Sequence, residues 1–316
     1  MNDSAAQSIA VLIPCYNEEA AIARVVEDFR SELPEARIWV YDNNSTDRTR
    51  EVALAAGAEV MAETRQGKGN VVRRMFSDIE ADVYLMVDGD ATYDVASARA
   101  MIRELNDNNL DMVVARRKST EQEAYRTGHQ LGNRLLTGAV AWIFGQLLTD
   151  ILSGYRAMSR RFVKSFPAMA SGFETETELT VHALQLRLPV SEIETPYFAR
   201  PQGSDSKLNT WSDGFRILGT IVRLFVFEKP FQFFLLVSLL FITAATALFI
   251  PVLLEYFSIG QVLKTPSLIV AVGGYVMALI SIIMGTLLYT TSISRLEAKR
   301  FQYLDTAKTA PKPMAE

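Results

Sequence analysis

Tyr84-Leu85-Met86-Val87-Asp88-Gly89-Asp90 decides how this chain is read. An apolar run delivers two carboxylates around a single glycine. In an extended chain residues i and i+2 project the same way, so Asp88 and Asp90 offer hard oxygen donors to one point. Such a pair suits Mg²⁺ or Mn²⁺, which complete their shells with water and phosphate oxygens. The same letters also make a solvated turn, so the flanking sequence has to carry the choice.

Working outward, Ile9–Ile13, Arg37–Tyr41, Glu59–Met61 and Met112–Ala115 join Val83–Val87 as short runs that read as buried strands. Glu19–Leu33, Asp47–Ala56, Lys68–Ile79 and Val95–Asn106 read as the helices between them, with Asn17 and Ser45 as N-caps. This alternation predicts an α/β fold with a doubly wound, mostly parallel sheet. Ligands of such sheets bind at the carboxyl ends of the strands. The first strand ends in Pro14-Cys15-Tyr16-Asn17-Glu18 and the second in Tyr41-Asp42-Asn43, beside Asp88-Gly89-Asp90. Asp42 or Asn43 is placed to hydrogen-bond a nucleobase. Lys68 lies between Gly67 and Gly69 at a helix start, a natural anion site, although a capped turn has the same letters.

The rest of the chain is of another kind. No charged residue occurs from Pro230 to Leu254 or from Thr265 to Ser294. Each run exceeds the roughly 20 residues that cross a bilayer as a helix, and spans are expected at about 231–254 and 267–291. Arg216, Arg223 and Lys229 precede the first span, and Arg295, Lys299, Arg300, Lys308 and Lys312 follow the second. The positive-inside rule therefore puts both flanks, and both termini, in the cytoplasm. Residues 1–210 read as the soluble domain, 211–229 as a juxtamembrane amphipathic helix, 230–294 as the membrane hairpin and 295–316 as a cytoplasmic tail, disordered from about Lys308. Uncharged Leu135–Leu148 (about 130–148 as a segment) and amphipathic Trp211–Phe227 read as helices lying at the membrane surface.

Composition agrees with two unlike parts. Among 316 residues, 49% are hydrophobic, and the mean hydropathy is +0.11 despite 22% charged residues. That excludes a disordered chain. A net charge of -4 argues against nucleic acid as a partner. Cys15 is the single cysteine, which excludes an intrachain disulfide and fits a reducing compartment. Met1–Ser8 is polar, and Pro14 stops the first apolar run too early for a signal peptide.

Taken in order, Pro14-x-Tyr16-Asn17-Glu18, Asp42-Asn-Asn-Ser45-x-Asp47-x-Thr49, Gly67-Lys68-Gly69 and Asp88-x-Asp90 resemble the inverting family-2 glycosyltransferases of GT-A fold. Asp150-x-x-Ser153-Gly154-Tyr155-Arg156, Gly172-Phe173-Glu174-x-Glu176 and Arg200-x-x-Gly203-Ser204-x-Ser206-Lys207 narrow the resemblance to the polyprenyl-phosphate branch. In that branch are dolichyl-phosphate mannose synthases and bacterial undecaprenyl-phosphate enzymes. The likeness runs over about residues 9–230.

The resemblance implies a GT-A Rossmann-like sheet and a membrane-anchored enzyme of the bacterial inner membrane. It would move one sugar from a nucleotide-sugar, UDP-glucose or a similar UDP-hexose, to polyprenyl phosphate. Pro14, Tyr16, Glu18, Tyr41, Asp42, Asn43, Lys68 and Gly89 would line the donor nucleotide. Asp88 and Asp90 would hold the metal, Mg²⁺ or Mn²⁺. Arg200 and Lys207 would close over the diphosphate, and Arg117 and Arg126 would meet the acceptor phosphate. Asp150 falls at the position of a base or acceptor-orienting carboxylate. A phosphate acceptor is already anionic, so Asp150 is expected to orient. Glu174 and Glu176 rank second to it. Homo-oligomers are expected by the same resemblance. Two positions depart from it. Thr92 stands where mannose synthases carry Gln, and Asn43 replaces the second Asp of a pair, which leaves GDP-mannose as an alternative donor. A non-enzymatic membrane adaptor is the alternative of another class. A processive polysaccharide synthase would need a Gln-x-x-Arg-Trp motif, which neither Trp142 nor Trp211 supplies.

Overall fold

Continuous buried runs drive the centre of the sheet. Strand β1 (Ile9–Cys15) is buried along nearly its whole length, as a central parallel strand must be. It pairs in parallel with β2 (Arg37–Asp42) and β4 (Val83–Met86), and β2 pairs in parallel with β3 (Glu59–Ala62). Helices α1 (Ile22–Glu32), α2 (Thr49–Ala55), α3 (Lys68–Asp78) and α4 (Ala98–Asp107) make the connections. A 3₁₀ turn, Val95–Ser97, leads into α4. The computed structural model describes residues 7–119, 127–145, 148–170, 172, 174–200, 219 and 221–306.

Three strands complete the sheet. β5 (Met112–Ser119), β6 (Arg156–Ser159) and β7 (Val190–Tyr197) give the order β3-β2-β1-β4-β6-β5-β7. β6 runs antiparallel to both β4 and β5, whereas β5 and β7 are parallel. The residues that precede β6 therefore arrive at the edge where β4 ends, beside Asp88. α5 (Thr127–Phe144), α6 (Arg160–Ser165) and α7 (Thr175–Leu186) fill the connections. Along α5, Leu136, Val140 and Ile143 are buried while Trp142 is exposed, so one stripe of this apolar helix faces the domain.

The structure corrects several expectations. Asn17 and Ser45 are not helix caps: Ala21 and Arg48 stand at those positions, without side-chain caps. Instead Asn17 donates its backbone N–H to Ser45 Oγ (2.9 Å), and its Oδ1 accepts from the Thr46 N–H (2.8 Å), tying the ends of β1 and β2 together. Residues 295–305 are not tail but the end of the second long helix. Helical residues 219 and 221–228 fall within the expected juxtamembrane helix, of which residues 211–218 and 220, with the tail from Lys308, lie outside the described residues.

The chain divides into two units, residues 1–217 with 298–316, and residues 218–297. The second unit is built on two apolar helices, Pro230–Ile259 and Thr265–Asp305, each long enough to cross a membrane. Their mutual contact uses small residues. A Cβ on Gly274 would meet the Ala245 Cβ at 2.9 Å, and one on Gly285 the Phe234 Cβ at 2.9 Å. Ser238, Ala245 and Val252 recur every seven residues on the buried seam, while most other side chains face outward, the pattern of helices solvated by lipid. In the first unit the last turns of the second helix dock on the domain. Tyr303 Oη donates to Asp111 Oδ2 (2.7 Å) and Lys299 Nζ to Gln185 Oε1 (2.6 Å).

The core lies between β1, β4 and α1, where Phe29 is fully buried and meets the Tyr155 ring edge-on at 6.4 Å. Phe29→Ala is expected to cost about 3–5 kcal/mol, read as a lowered Tm in detergent. A loss under about 1 kcal/mol would mean that α1 does not seal this face.

Candidate functional site

The carboxyl edge of β1, β2 and β4 collects most of the expected residues. Glu18 follows β1, is buried, and its backbone N–H donates to Thr49 Oγ1 (2.8 Å). Asp42 ends β2 and accepts the Ser45 N–H (3.3 Å). Asn43 holds the neighbouring loop: its Nδ2 donates to the carbonyls of Glu63 (2.9 Å) and Arg65 (2.8 Å), and its Oδ1 accepts the Gly67 N–H (2.6 Å). That pattern commits the Asn43 amide to the loop. Tyr41 is a correction. The pleat turns its side chain into the core, where its hydroxyl reaches Asp78 Oδ2 (3.2 Å), so it lines no nucleotide.

Asp88 and Asp90 sit where the sequence places them, each already facing a cation. Lys68 Nζ pairs with both Asp88 Oδ1 and Glu176 Oε1. Arg200 Nη2 pairs with Asp90 Oδ2 at 2.7 Å, and Thr92 Oγ1 donates to Asp90 Oδ1 at 2.6 Å. Burial and the nearby Asp88 charge raise the Asp90 pKa. Burial alone would lower the Lys68 pKa, but its two carboxylates raise it instead, so Lys68 stays charged. This corrects the reading of Lys68 as an open anion site, because its ammonium is buried between two acids.

A divalent metal fits this edge. Two carboxylates flank one glycine, with burial and mutual repulsion favouring any added positive charge. Among the described residues no group of three or more His, Cys, Asp or Glu gathers. Protein ligation would thus come from Asp90 with Asp88, and phosphate and water oxygens would complete the shell. Thr92 is engaged with Asp90, so it orients that carboxylate. Beside Asp88 a cleft of about 260 Å³ opens, lined by Arg24, Asp28, Glu32, Tyr93, Asp94 and Phe198 among others.

A second cluster lies across β6. Arg117, on β5, holds Asp150 in a two-pronged ion pair, Nε to Oδ2 and Nη2 to Oδ1, both 2.7 Å. Burial works to raise the Asp150 pKa, but the hydrogen bonds and charge of Arg117 hold it below the usual carboxylate range. Glu192, on β7, accepts the backbone N–H groups of Thr149 (2.7 Å) and Asp150 (3.0 Å). Arg116 and Lys118 project from the other face of β5 and pair with Glu194 at 2.9 and 3.6 Å. Of these three neighbouring basic residues, Arg117 is the one that pairs with Asp150. Glu174 starts α7. His182 is packed between Phe162 and Phe166, and burial lowers its pKa to about 3, so it is a neutral core residue. Arg126 and Lys207 lie outside the described residues.

Three contributors escaped the sequence reading of the site. Tyr93 Oη accepts the Gly154 N–H (2.9 Å), Glu192 braces Asp150, and Arg156 lies buried beneath both. Arg156 stands inside the quoted Ser153-Gly154-Tyr155-Arg156 run, the one signal that marked it.

Residues 10–166 match the family model described as Glycosyl transferase family 2. The chain is 36% identical over 72% of its length to "Glycosyltransferase AglJ" of Haloferax volcanii, covering 75% of that protein. It is 59% identical to "Protein RfbJ" of Shigella flexneri over 39% of this chain and 96% of that one. "Dolichyl-phosphate hexose transferase" of Haloferax volcanii is 25% identical over 72% of this chain and 99% of its own. Among solved structures, glucosyl-3-phosphoglycerate synthase of Mycobacterium tuberculosis, crystallised with Mn²⁺, UDP-glucose and phosphoglyceric acid, is similar in fold. Its TM-score is 0.58 at 23% identity, over 69% of this chain and 80% of that chain.

Arg200 and a divalent ion would compete for Asp90. Arg200→Ala is therefore expected to tighten Mn²⁺ binding by roughly three- to tenfold without nucleotide, the order of a partly screened ion pair. Asp90→Ala should lose the binding. Mn²⁺ titration followed by electron paramagnetic resonance checks both, and equal affinity in the wild type and Arg200→Ala would refute the competition.

Proposed function

The chain belongs to glycosyl transferase family 2, and from that premise we propose that it transfers one sugar, with inversion, from a nucleotide-sugar to a polyprenyl phosphate at the cytoplasmic membrane. The observation that carries the reading is the meeting of two charged clusters at one sheet edge. Asp88 and Asp90 with Arg200 face the donor side, and Arg117 with Asp150 faces the acceptor side. The name of the Haloferax dolichyl-phosphate hexose transferase supports a lipid-phosphate acceptor, as do the two long apolar helices. Basic residues flanking both helices support a cytoplasmic catalytic domain.

The residues divide the work as follows. Charge develops on the departing nucleoside diphosphate, and positive groups aimed at it lower the barrier. Arg200 supplies one such group, and Lys207 would supply a second on the strength of the resemblance. Mg²⁺ or Mn²⁺ on Asp90 and Asp88 would supply Lewis-acid stabilisation of the same charge. Lys68 holds Asp88 in place through a buried ion pair. On the opposite side Arg117 presents its guanidinium to the acceptor phosphate, which is its own nucleophile. A carboxylate locked to Arg117 with a lowered pKa is a poor proton acceptor. Asp150 therefore orients Arg117. UDP-glucose or a similar UDP-hexose is the donor we infer, and GDP-mannose the alternative.

A donor panel tests this. Purified protein in detergent receives Mg²⁺ or Mn²⁺, undecaprenyl phosphate and radiolabelled UDP-glucose, UDP-galactose, UDP-GlcNAc or GDP-mannose. Label entering the organic phase from one donor, lost in Asp90→Ala, is the expected result. Nucleotide release without a lipid product would move the acceptor elsewhere. No turnover and no metal-dependent nucleotide binding would favour a non-enzymatic adaptor. In the active pair, Asp150→Asn should lose no more than about tenfold (~1.4 kcal/mol), whereas a loss above about a thousandfold would make Asp150 the base.

A further inference from the structure

The turn from Asp150 to Gly154 touches both clusters. At one end Asp150 grips Arg117. At the other, Gly154 lies so close to Asp88 that a Cβ there would run into its carboxylate, and the Gly154 N–H donates to Tyr93 Oη at 2.9 Å. Between these ends, two carbonyls of the turn point inward at one side chain. Arg156 donates from Nη2 to Ile151 O at 2.7 Å and from Nε to Ser153 O at 2.9 Å. Its Nη1 reaches Thr180 Oγ1, on α7, at 3.0 Å.

Arg156 is fully buried, its hydrogen-bond partners are neutral oxygens and the Met112 sulfur, and Glu176 and Asp150 offset only part of the cost of burying its charge. A guanidinium held inside by neutral groups is expensive to desolvate. An apolar residue would fill the centre of a sheet between β4 and β5 at lower cost. What an apolar residue cannot do is hold two carbonyls of the same turn at a fixed separation. The planar fork of arginine does this, and the single ammonium of lysine does not.

We propose that Arg156 is a positioning residue that sets the distance between the Arg117–Asp150 pair and Asp88, and through it the placement of the acceptor phosphate against the donor. The clamp itself is independent of the reaction, whereas its effect on the acceptor rests on the function proposed above. Removing it should loosen the turn while leaving the donor strands β1 and β2 intact.

The experiment compares wild type, Arg156→Lys and Thr180→Val as full chains in detergent. Thr180→Val loosens one prong only and guards against a folding failure of Arg156→Lys. Three readouts are taken: hydrogen exchange of peptides covering 148–158 and 9–42, binding of Mn²⁺ with UDP or GDP, and steady-state kinetics with the donor that the panel selects. Expected for Arg156→Lys is exchange at 150–154 faster by about tenfold or more, with 9–42 unchanged. KM for undecaprenyl phosphate should rise roughly tenfold while nucleotide affinity changes less than about twofold. Thr180→Val should show the same split, smaller. Unchanged exchange at 150–154, or loss of nucleotide binding in step with acceptor KM in both variants, would overturn the proposal. If wild type transfers no sugar to the lipid phosphate, the functional reading fails, and the exchange data alone decide the clamp.

Discussion

Two carboxylates held around one glycine just beyond a strand end repel each other, and the burial of Asp90 sharpens the need for nearby positive charge. That repulsion organises this molecule. Asp88 and Asp90 are answered by Lys68 and Arg200, which come from different parts of the chain. Lys68 reaches Asp88 only because α3 starts close against the segment before α7, where Gly69 leaves no room for a side chain beside Ala170 O. Glu176 then balances Lys68 from α7. A charge requirement at the end of β4 thus fixes where two helices begin.

The same logic separates the two cations. Lys68 is enclosed between two acids and serves the architecture. Arg200 lies beyond β7, partly exposed, and pairs with Asp90, whose other oxygen accepts from Thr92. The diphosphate of the proposed donor would offer this guanidinium another partner of opposite sign. Enclosure, more than charge, distinguishes the cation that holds the frame from the one that can change partners.

Much of this was legible in the sequence, for physical reasons. Strands β1 to β5 and helices α1 to α4 announced themselves through their apolar runs, although β3, expected to be buried, is a largely exposed edge strand. β6 did not, because a four-residue strand that opens with Arg156 breaks the apolar signature of a central strand. β7 was hidden for the opposite reason. It is an edge strand, half exposed, and tolerates Glu192, Glu194 and Pro196. Asp88 and Asp90 could be picked out because they follow an apolar run, whereas Asp150 was reached only through the family resemblance. Which partner each would take could not be read, since Lys68, Arg117 and Glu192 meet them only through the sheet. Tyr41 misled for a local reason: it is next to Asp42, but the pleat sends neighbours to opposite faces.

The strand order has a consequence for how such a chain can change over generations. Every strand on one side of the β4–β6 seam is encoded before residue 87, and every strand on the other side after residue 111. The seam in space is therefore also a seam in the gene. Drift or recombination can rework the half that carries Arg117 and Asp150 while leaving the half that carries Asp42, Asp88 and Asp90 untouched. What must be inherited jointly includes the short turn of Gly154 against Asp88 and Tyr93, the ion pairs of Lys68 with Glu176 and of Arg200 with Asp90, and the packing of Phe29 on Tyr155.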